Sequence, residues 1–390
     1  MISIEELWMR IDREVPVLPS VSVPLGTSRG RRLAEDIRAD ADMPAFTRSA
    51  IDGFLLPENA PPGRHRIVGE VRPGMPSGPC PSPGEAVRIF TGSALPESGS
   101  GLVMVEDAVI DGDHVVTAVA AASRHVRARG SQARAGDVLL SSGGEITPGA
   151  VALLASVGVA EPRVSPLVRT AHLVTGAELT DVSAHPAPGF IRDSNSPLIA
   201  ALLAENQAER IFHARTSEDI DQAVGLLEDF CGDLLLISGG ASVGAYDGTG
   251  EILQRLGFSI HSAKVKSRPG KPLIFATRGA AVAFGLPGNP LSHFVCFHLF
   301  VRRAIARMTG LTPPGFVPLQ IDGPRPPSDP RETWWPACVR AEDGRLLAVP
   351  LPWTDSSDLT GLPRANALLR IGTADAKGLV DALLFGKLVT

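Results

Sequence analysis

"LLLISGGASVGAYDGTG", residues 234–250, is an apolar run that ends in glycines and then turns polar. Leu234–Ile237 has the unbroken hydrophobicity of a strand buried on both faces of a parallel sheet. The glycines from Gly239 onward supply a permissive backbone just past the carboxyl end of that strand, and Asp247 stands among them. Open α/β sheets bind ligands at that place.

The alternation continues on both sides of this stretch, from Leu167 to about Gly310. "LVRTAHLVT" leads to "SPLIAALLAENQ", "ERIFHAR" to "SEDIDQAVGLLEDF", and "LLLIS" to "GTGEILQRLG". The strand pieces "SAKVKS", "PLIFATR" and "AAVAFGL" follow, then the long helix "PLSHFVCFHLFVRRAIARMTG". Strands interleaved with helices predict a mostly parallel sheet covered on both faces. Residues 1–40 read as two helices, "SIEELWMRIDREV" and "SRGRRLAEDIRAD". Short strands between Pro/Gly turns from Met43 to Val126 predict a small β domain. Thr147 as N-cap and Pro148 at the first helical position predict a compact helix to Val157. The Pro-rich stretch "LTPPGFVPLQIDGPRPPSDP" marks a boundary, and the short strands after it predict a closing β domain.

At 390 residues the chain is long enough for two to four domains. A net charge of −5 offers no general attraction to nucleic acid or anionic membrane. The acidic amphipathic start does not resemble a signal peptide, and no apolar stretch is long enough to span a bilayer, so the expectation is a cytoplasmic protein. Four widely separated cysteines, without a C-x-x-C pair, predict buried free thiols rather than a disulfide framework or a zinc site.

Three loops leave carboxyl ends of strands: "TGAEL" (175–179) with Glu178, "SGGASVG" (238–244) with Ser238, Gly239, Gly240, Ser242 and Gly244, and "GLPGNPLS" (285–292) with Pro287, Gly288, Asn289, Pro290 and Ser292. Asn289 is placed as an N-cap and Pro290 at the first helical position. Successive amide groups in such loops can cradle an oxyanion, favoured by the helix dipole. "KSRPGKP" (266–272) adds Arg268 and Lys271 as side-chain cations. The physical inference is a bound phosphate or pyrophosphate; the plain alternative is ordinary turn glycines of a doubly wound domain. Neither G-x-x-x-x-G-K-[ST] nor G-x-G-x-x-G after a strand is present, which argues against a P-loop NTPase and a dinucleotide-binding oxidoreductase.

The ordered motifs "MPAFTRSAIDGF", "GEAVRIFTGSALPE", "ITPGAVALLASVGVAEPRV", "TGAEL", "IRDSNSPLIAALL", "LLLISGGASVGAYD", "RPGKPLIF", "FGLPGNPLS" and "LTGLPRANALLRI" resemble the molybdopterin molybdotransferase family, the MoeA and gephyrin E-domain group. The resemblance runs the length of the chain. It implies a central doubly wound α/β molybdopterin-binding domain (167–311), an elongated helical region (1–42 and 127–166), a β domain (43–126) and a C-terminal β domain (312–390). It implies a homodimer in which Asp52 and Thr91 of one subunit face the α/β domain of the other. Ser194 and Asn195 fall in the family's pterin-binding loop. The implied reaction uses adenylylated molybdopterin, molybdate and Mg²⁺, and releases AMP as the metal is inserted. Asp247 and Glu178 are then the candidate Mg²⁺ ligands, and Arg268 and Lys271 stabilise the leaving AMP. Molybdopterin adenylyltransferase and apo-molybdoenzymes are the implied partners.

The acidic set departs from the family's pattern. Ala177, Ser131, Gln132, Thr216, Ser217 and Ala245 stand where carboxylates are usual, and Arg268 where a lysine is. Asp52, Thr91, Glu178, Asp247 and Lys271 are retained. Three functions remain open at this point: the enzyme, a carrier that holds molybdopterin or the finished cofactor without inserting metal, or an assembly or scaffold role as in gephyrin.

Overall fold

The structure is a computed structural model that describes residues 1–239, 245–327, 329–372 and 378–387, without the side chains of 245–247. The chain divides into two compact units: Met1–Ser22, Gly30–Arg32 and Arg163–Thr390 form one, and Val23–Arg29 and Leu33–Pro162 the other.

The larger unit is built on a sheet of β1 (Val168–Thr175), β2 (Ala208–Thr216), β3 (Leu234–Ser238), β4 (Ser259–Lys264), β5 (Pro272–Arg278) and β6 (Ala281–Leu286). Their spatial order is β2-β1-β3-β6-β5-β4. The first four are mutually parallel, and β5 and β4 are added antiparallel at one edge. This is the mostly parallel sheet that the alternating pattern predicts.

Alternation of side chains assigns the two faces. Leu234 and Leu236 of β3 point, with Val168 and Phe284, into a core shared with Ile4, Leu7 and Ile11 of α1 (Ile4–Glu14) and Ile199, Leu202 and Leu203 of α2 (Asn195–Glu205). Leu235 and Ile237 point the other way, onto Ala223 and Leu227 of α3 (Ile220–Leu227) and Ile252 and Leu253 of α4 (Ala245–Arg255). Each fully buried leucine contributes roughly 1.5–3 kcal/mol. The long helix runs as α5 (Pro290–Cys296), a π-helical turn over Phe297–Val301, and α6 (Arg302–Thr309). Ser3 caps α1 through the Glu6 amide at 3.0 Å. Trp8 Nε1 donates to the Leu299 carbonyl at 2.8 Å, anchoring α1 to the π turn.

The C-terminal residues of this unit form a small closed sheet. Glu332–Glu342 pairs with both Arg345–Pro350 and Ala367–Ile371, and the ring is completed through Phe316–Ile321 and Leu379–Leu384. Closure leaves its strands without free edges. Trp334 is fully buried beside Trp8 and Phe316, the structural packing expected of a strand aromatic.

The smaller unit holds a six-stranded sheet whose middle includes Gly53–Pro57 beside Glu85–Ile89. Its helix Pro148–Ser156 begins as predicted, with Thr147 Oγ1 accepting from the Ala150 amide at 3.2 Å. The second helix expected within residues 1–40 is not formed. Ile37–Arg38 is instead a strand paired with Val138–Leu140, and the Leu33 amide donates to the Gly144 carbonyl at 2.8 Å. Gly30, at φ +79°, breaks any helix there, so non-local pairing overrides a helix-like composition.

The thiols are free but not all buried, contrary to expectation. Cys296 is buried, Cys80 and Cys338 are half-buried and Cys231 is exposed. Cys231 follows α3 in a surface turn, where no core surrounds it.

Candidate functional site

The hairpin between β4 and β5 carries the cations. Its strand Ser267–Arg268 pairs with Glu332–Thr333 of the C-terminal sheet. Gly270 turns it at φ +93°, and a Cβ there would lie 2.5 Å from the Cys296 Sγ, so both the conformation and the close approach demand glycine. Opposite the hairpin, the loop after β6 enters α5 through Asn289, the predicted N-cap, and Pro290. The Asn289 side chain does not cap the helix; its Nδ2 donates to Ser356 Oγ at 2.6 Å.

Between these loops lies a cavity of about 590 Å³. Five of the predicted residues line it: Arg268, Lys271, Pro287, Asn289 and Ser292. Sequence reasoning missed the rest of its polar lining, namely Lys264, Arg331, Trp353, Thr354, Asp355 and Ser356. The cations are not equivalent. Arg268 is bonded to Asp329 at 2.9 Å and stacks on Trp353, with its guanidinium carbon 5.4 Å from the ring centroid. Asp329 also accepts from the Arg331 amide and Nε at 2.9 and 3.0 Å. Hydrogen bonds from Arg331 hold the Asp329 carboxyl below its ordinary range, so it is ionised at neutral pH. Lys271, exposed, has no carboxylate within ion-pair distance among the described residues. It is the less compensated charge.

The far wall is a loop that bonds to itself. Asp358 accepts from Thr360 Oγ1 and N at 2.6 and 2.9 Å and from Thr354 Oγ1 and N at 2.9 and 3.1 Å. Four donors hold its carboxyl far below the usual range, Thr360 contributing most. Trp353 rests against Trp335, ring centroids 4.5 Å apart, and Trp335 Nε1 donates to the Leu351 carbonyl at 2.8 Å. The local clue was the run of Thr, Asp and Ser at 354–360, residues that hydrogen-bond their own backbone.

A larger cavity of about 810 Å³, between the start of α1 and the C-terminal sheet, is a weaker candidate for an anion. Its Arg370 is paired with Glu332 at 2.7 Å and also with Glu5, its Arg331 is taken by Asp329, and its Lys266 shares the space with Asp329, Glu332 and Asp381.

The strand-end residues adjoin the first cavity through the β6–α5 loop. Asn195 Nδ2 donates to the Gly288 carbonyl at 2.7 Å, while its Oδ1 is buried without a partner. Ser194 precedes α2 and makes no capping bond; Asp193, not anticipated, does that work by accepting from the Ser196 amide at 3.0 Å. Ser238 was expected to present its hydroxyl to a ligand. It is instead fully buried, 2.7 Å from His172 Nε2 and 3.4 Å from His293 Nε2. Gly239 has a packing reason as well: at φ +135°, a Cβ would fall 2.1 Å from the Thr175 carbonyl oxygen. Gly240, Ser242, Gly244 and the side chain of Asp247 lie outside the described residues.

Glu178 is exposed after β1, next to Gly176. Among the described residues no three of His, Cys, Asp and Glu cluster closely enough to cage a metal ion. One exposed carboxylate does suit Mg²⁺, which keeps several waters and binds largely through substrate phosphates.

In the smaller unit, the register Gly53 opposite Ile89 brings Asp52 and Thr91 to the same end of two neighbouring strands. Asp52 Oδ1 accepts from the Thr91 amide at 2.6 Å and from Oγ1 at 2.8 Å. These bonds hold the exposed carboxyl below its ordinary range and keep it ionised.

A family model described as "MoeA N-terminal region (domain I and II)" matches residues 2–158, and one described as "Probable molybdopterin binding domain" matches residues 171–307. The chain is 33% identical over 365 residues to the molybdopterin molybdenumtransferase of Bacillus subtilis, spanning 89% of this chain and 84% of that one. The protein of the same name from Staphylococcus aureus strain Mu50 is 32% identical over 319 residues, spanning 79% and 76%. The crystal structure of the molybdopterin biosynthesis MoeA protein from Pyrococcus horikoshii OT3 has the same fold, with a TM-score of 0.78 at 24% identity over 99% of this chain and 100% of that one. The α/β sheet with a cation-lined cavity at its loops, joined to a closed β sheet, is the architecture that these comparisons match. The chain belongs to the molybdopterin molybdenumtransferase family, transferases of molybdenum cofactor biosynthesis.

Proposed function

We propose that this chain inserts molybdate into adenylylated molybdopterin with release of AMP, and that the cavity beside Lys271 is where molybdate and the departing phosphate are held. The observation that carries this reading is the lining: Lys264 and Lys271 supply positive charge, Arg268 and Arg331 add guanidiniums that Asp329 partly neutralises, and the Ser292 and Ser356 hydroxyls line the same space. A tetrahedral oxyanion is recognised by such a set through charge-assisted hydrogen bonds. As the phosphoanhydride breaks, negative charge gathers on the leaving AMP, and the Lys271 ammonium stabilises it. Glu178, with Asp247, would hold Mg²⁺ together with the phosphate oxygens. When bound, that ion neutralises phosphate charge and lowers the barrier to displacement. The carrier alternative has no observation in its favour.

We further propose a homodimer acting in the cytoplasm, in which the Asp52–Thr91 pair of one subunit completes the site of the other. Molybdopterin adenylyltransferase and apo-molybdoenzymes are the partners this role requires. No helix among the described residues is long and apolar enough to cross a membrane.

The experiment is AMP release from adenylylated molybdopterin plus molybdate, with Mg²⁺ varied. Wild type is expected to show Mg²⁺-dependent release, and Asp52→Ala and Lys271→Ala each to lose most of it. Mixed and allowed to exchange subunits, the two variants should regain part of the activity, because one cleft of the heterodimer is intact. No AMP release by wild type at any Mg²⁺ concentration, with substrate bound, overturns the enzyme. No recovery after proven exchange overturns the shared cleft.

A further inference from the structure

A line of polar side chains crosses the otherwise apolar face of the sheet beneath the strand-end loops. His213 of β2 stacks on His172 of β1 at 5.3 Å between ring centroids, and its Nδ1 lies 3.3 Å from the His172 carbonyl oxygen. His172 Nε2 is 2.7 Å from the Ser238 hydroxyl, which is 3.4 Å from His293 Nε2. His293 Nδ1 lies 3.0 Å from the Pro287 carbonyl oxygen. His172, Ser238 and His293 are all 0% exposed.

The carbonyl at one end fixes the direction of every bond. Pro287 can only accept, so His293 Nδ1 carries the proton and its Nε2 is left as an acceptor. The Ser238 hydroxyl then donates to His293, and its oxygen accepts from His172 Nε2–H. His172 Nδ1 is left as a bare lone pair, and it has no partner in the structure. Burial keeps both imidazoles neutral, His293 down to about 4 and His172 well below its ordinary value. The charged groups around them are Arg210 beside His172 and Asp193 beside His293. A packing role would need only bulk at these positions. Here each ring also grips a specific point: the last residue of β3, immediately before Gly239, and the first carbonyl of the β6–α5 loop.

We propose that His293 and His172, joined through the Ser238 hydroxyl, are positioning residues that set the spacing between the carboxyl end of β3, at Ser238–Gly239, and the Pro287–Ser292 loop. They touch no ligand; they hold the end of β3 and the Pro287–Ser292 loop at the separation that the substrate needs. The inference rests on the proposed reading of the cavity lined by Pro287, Asn289 and Ser292 as the substrate site.

The test joins a spectroscopic readout to a kinetic one. At pH 7, imidazole ¹⁵N NMR of the full chain should show His293 as the neutral Nδ1–H tautomer and His172 as the neutral Nε2–H tautomer. The opposite tautomer at His293, or a protonated ring, overturns the relay whether or not the protein is an enzyme. In AMP release, His293→Leu should raise KM for adenylylated molybdopterin about 10-fold while kcat changes less than about 3-fold. His293→Asn, whose amide can still donate to the Pro287 carbonyl, should return KM to within about 3-fold of wild type. A KM unchanged in both variants overturns the positioning role. If His293→Leu fails to fold, the Asn variant must still differ from His293→Gln in KM, since Gln lacks the donor at that position. An inactive wild type refutes the catalytic reading alone, and the tautomers then decide the relay.

Discussion

The two walls of the cavity beside Lys271 are made in different ways. One wall, with Lys271, Pro287, Asn289 and Ser292, is carried by the β4–β5 hairpin and the β6–α5 junction of a buried sheet, and its backbone is fixed by the core below it. The other, Trp353 to Ser356, is a loop of the C-terminal sheet held by its own side chains, chiefly the four donors around Asp358. A core-supported wall rests on buried neutral groups, and a self-bonded wall on a half-buried carboxylate. The two should therefore fail under different stresses.

Acid separates them most strongly. His293 is held at about 4 by burial, below the usual imidazole value of 6.5. The unfolded chain therefore binds a proton that the folded chain refuses, and stability falls as pH drops from 6.5 towards 4, while it is fully present above 6.5. From His293 alone the loss by pH 4.5 is roughly 2–3 kcal/mol. His298, buried and held at about 3, adds to it in the same direction. Asp358, held far below the usual carboxylate range, stays ionised throughout, so its loop keeps its bonds. All four tryptophans, Trp8, Trp334, Trp335 and Trp353, belong to the larger unit, so their fluorescence reports on it directly. Urea midpoints followed this way should fall between pH 7 and 4.5, and less steeply in His293→Gln. Equal slopes for the two proteins would mean that His293 is not the buried neutral group described.

The next effect contrasts two cations of the same hairpin. Lys271 has no compensating carboxylate among the described residues, whereas Arg268 is paired with Asp329 and stacked on Trp353. Removing an uncompensated charge-assisted bond costs roughly 1.5–3 kcal/mol. Lys271→Ala should weaken molybdate binding about 10- to 100-fold by calorimetric titration. Arg268→Ala should cost less than about 5-fold in affinity, because the carboxylate already cancels much of its charge. An equal loss in both variants would erase the distinction.

The same contrast explains what could be read from the sequence. The α/β core was legible because Leu234–Ile237 and its neighbours carry the apolar runs of strands buried on both faces, and because Asn289-Pro290 and Thr147-Pro148 are local helix starts. Lys271 and Arg268 were legible because glycine and proline mark their hairpin. Trp353–Ser356 was not, since nothing local tells which distant hairpin a self-bonded loop will face. Nor was the imidazole line, because Ser238 is 66 residues from His172 and 55 from His293. The false helix over 28–40 fails for the same reason: Ile37–Arg38 finds its partner at Val138–Leu140, beyond any local pattern.

The smallest effect has the opposite sign and comes from the wall between these two. Asp329 holds Arg268 at 2.9 Å and Arg331 at 3.0 Å, and so subtracts one negative charge's worth of field from the cavity that both line. Asp329→Asn keeps an amide oxygen that can still accept from the Arg331 backbone and side chain, so the local turn is retained. It removes the charge that competes with the anion for the two guanidiniums. Both arginines are partly exposed, so solvent screens most of the Coulomb energy, and the gain should be modest: molybdate binding tighter by about 2- to 4-fold. Because the change is electrostatic, the gain should shrink as ionic strength rises and the Debye length falls below about 8 Å. Titrations at low and high salt check both statements. Weaker binding in the variant would show that Asp329 serves to aim the arginines rather than to neutralise them, and the cavity would then depend on geometry more than on net charge.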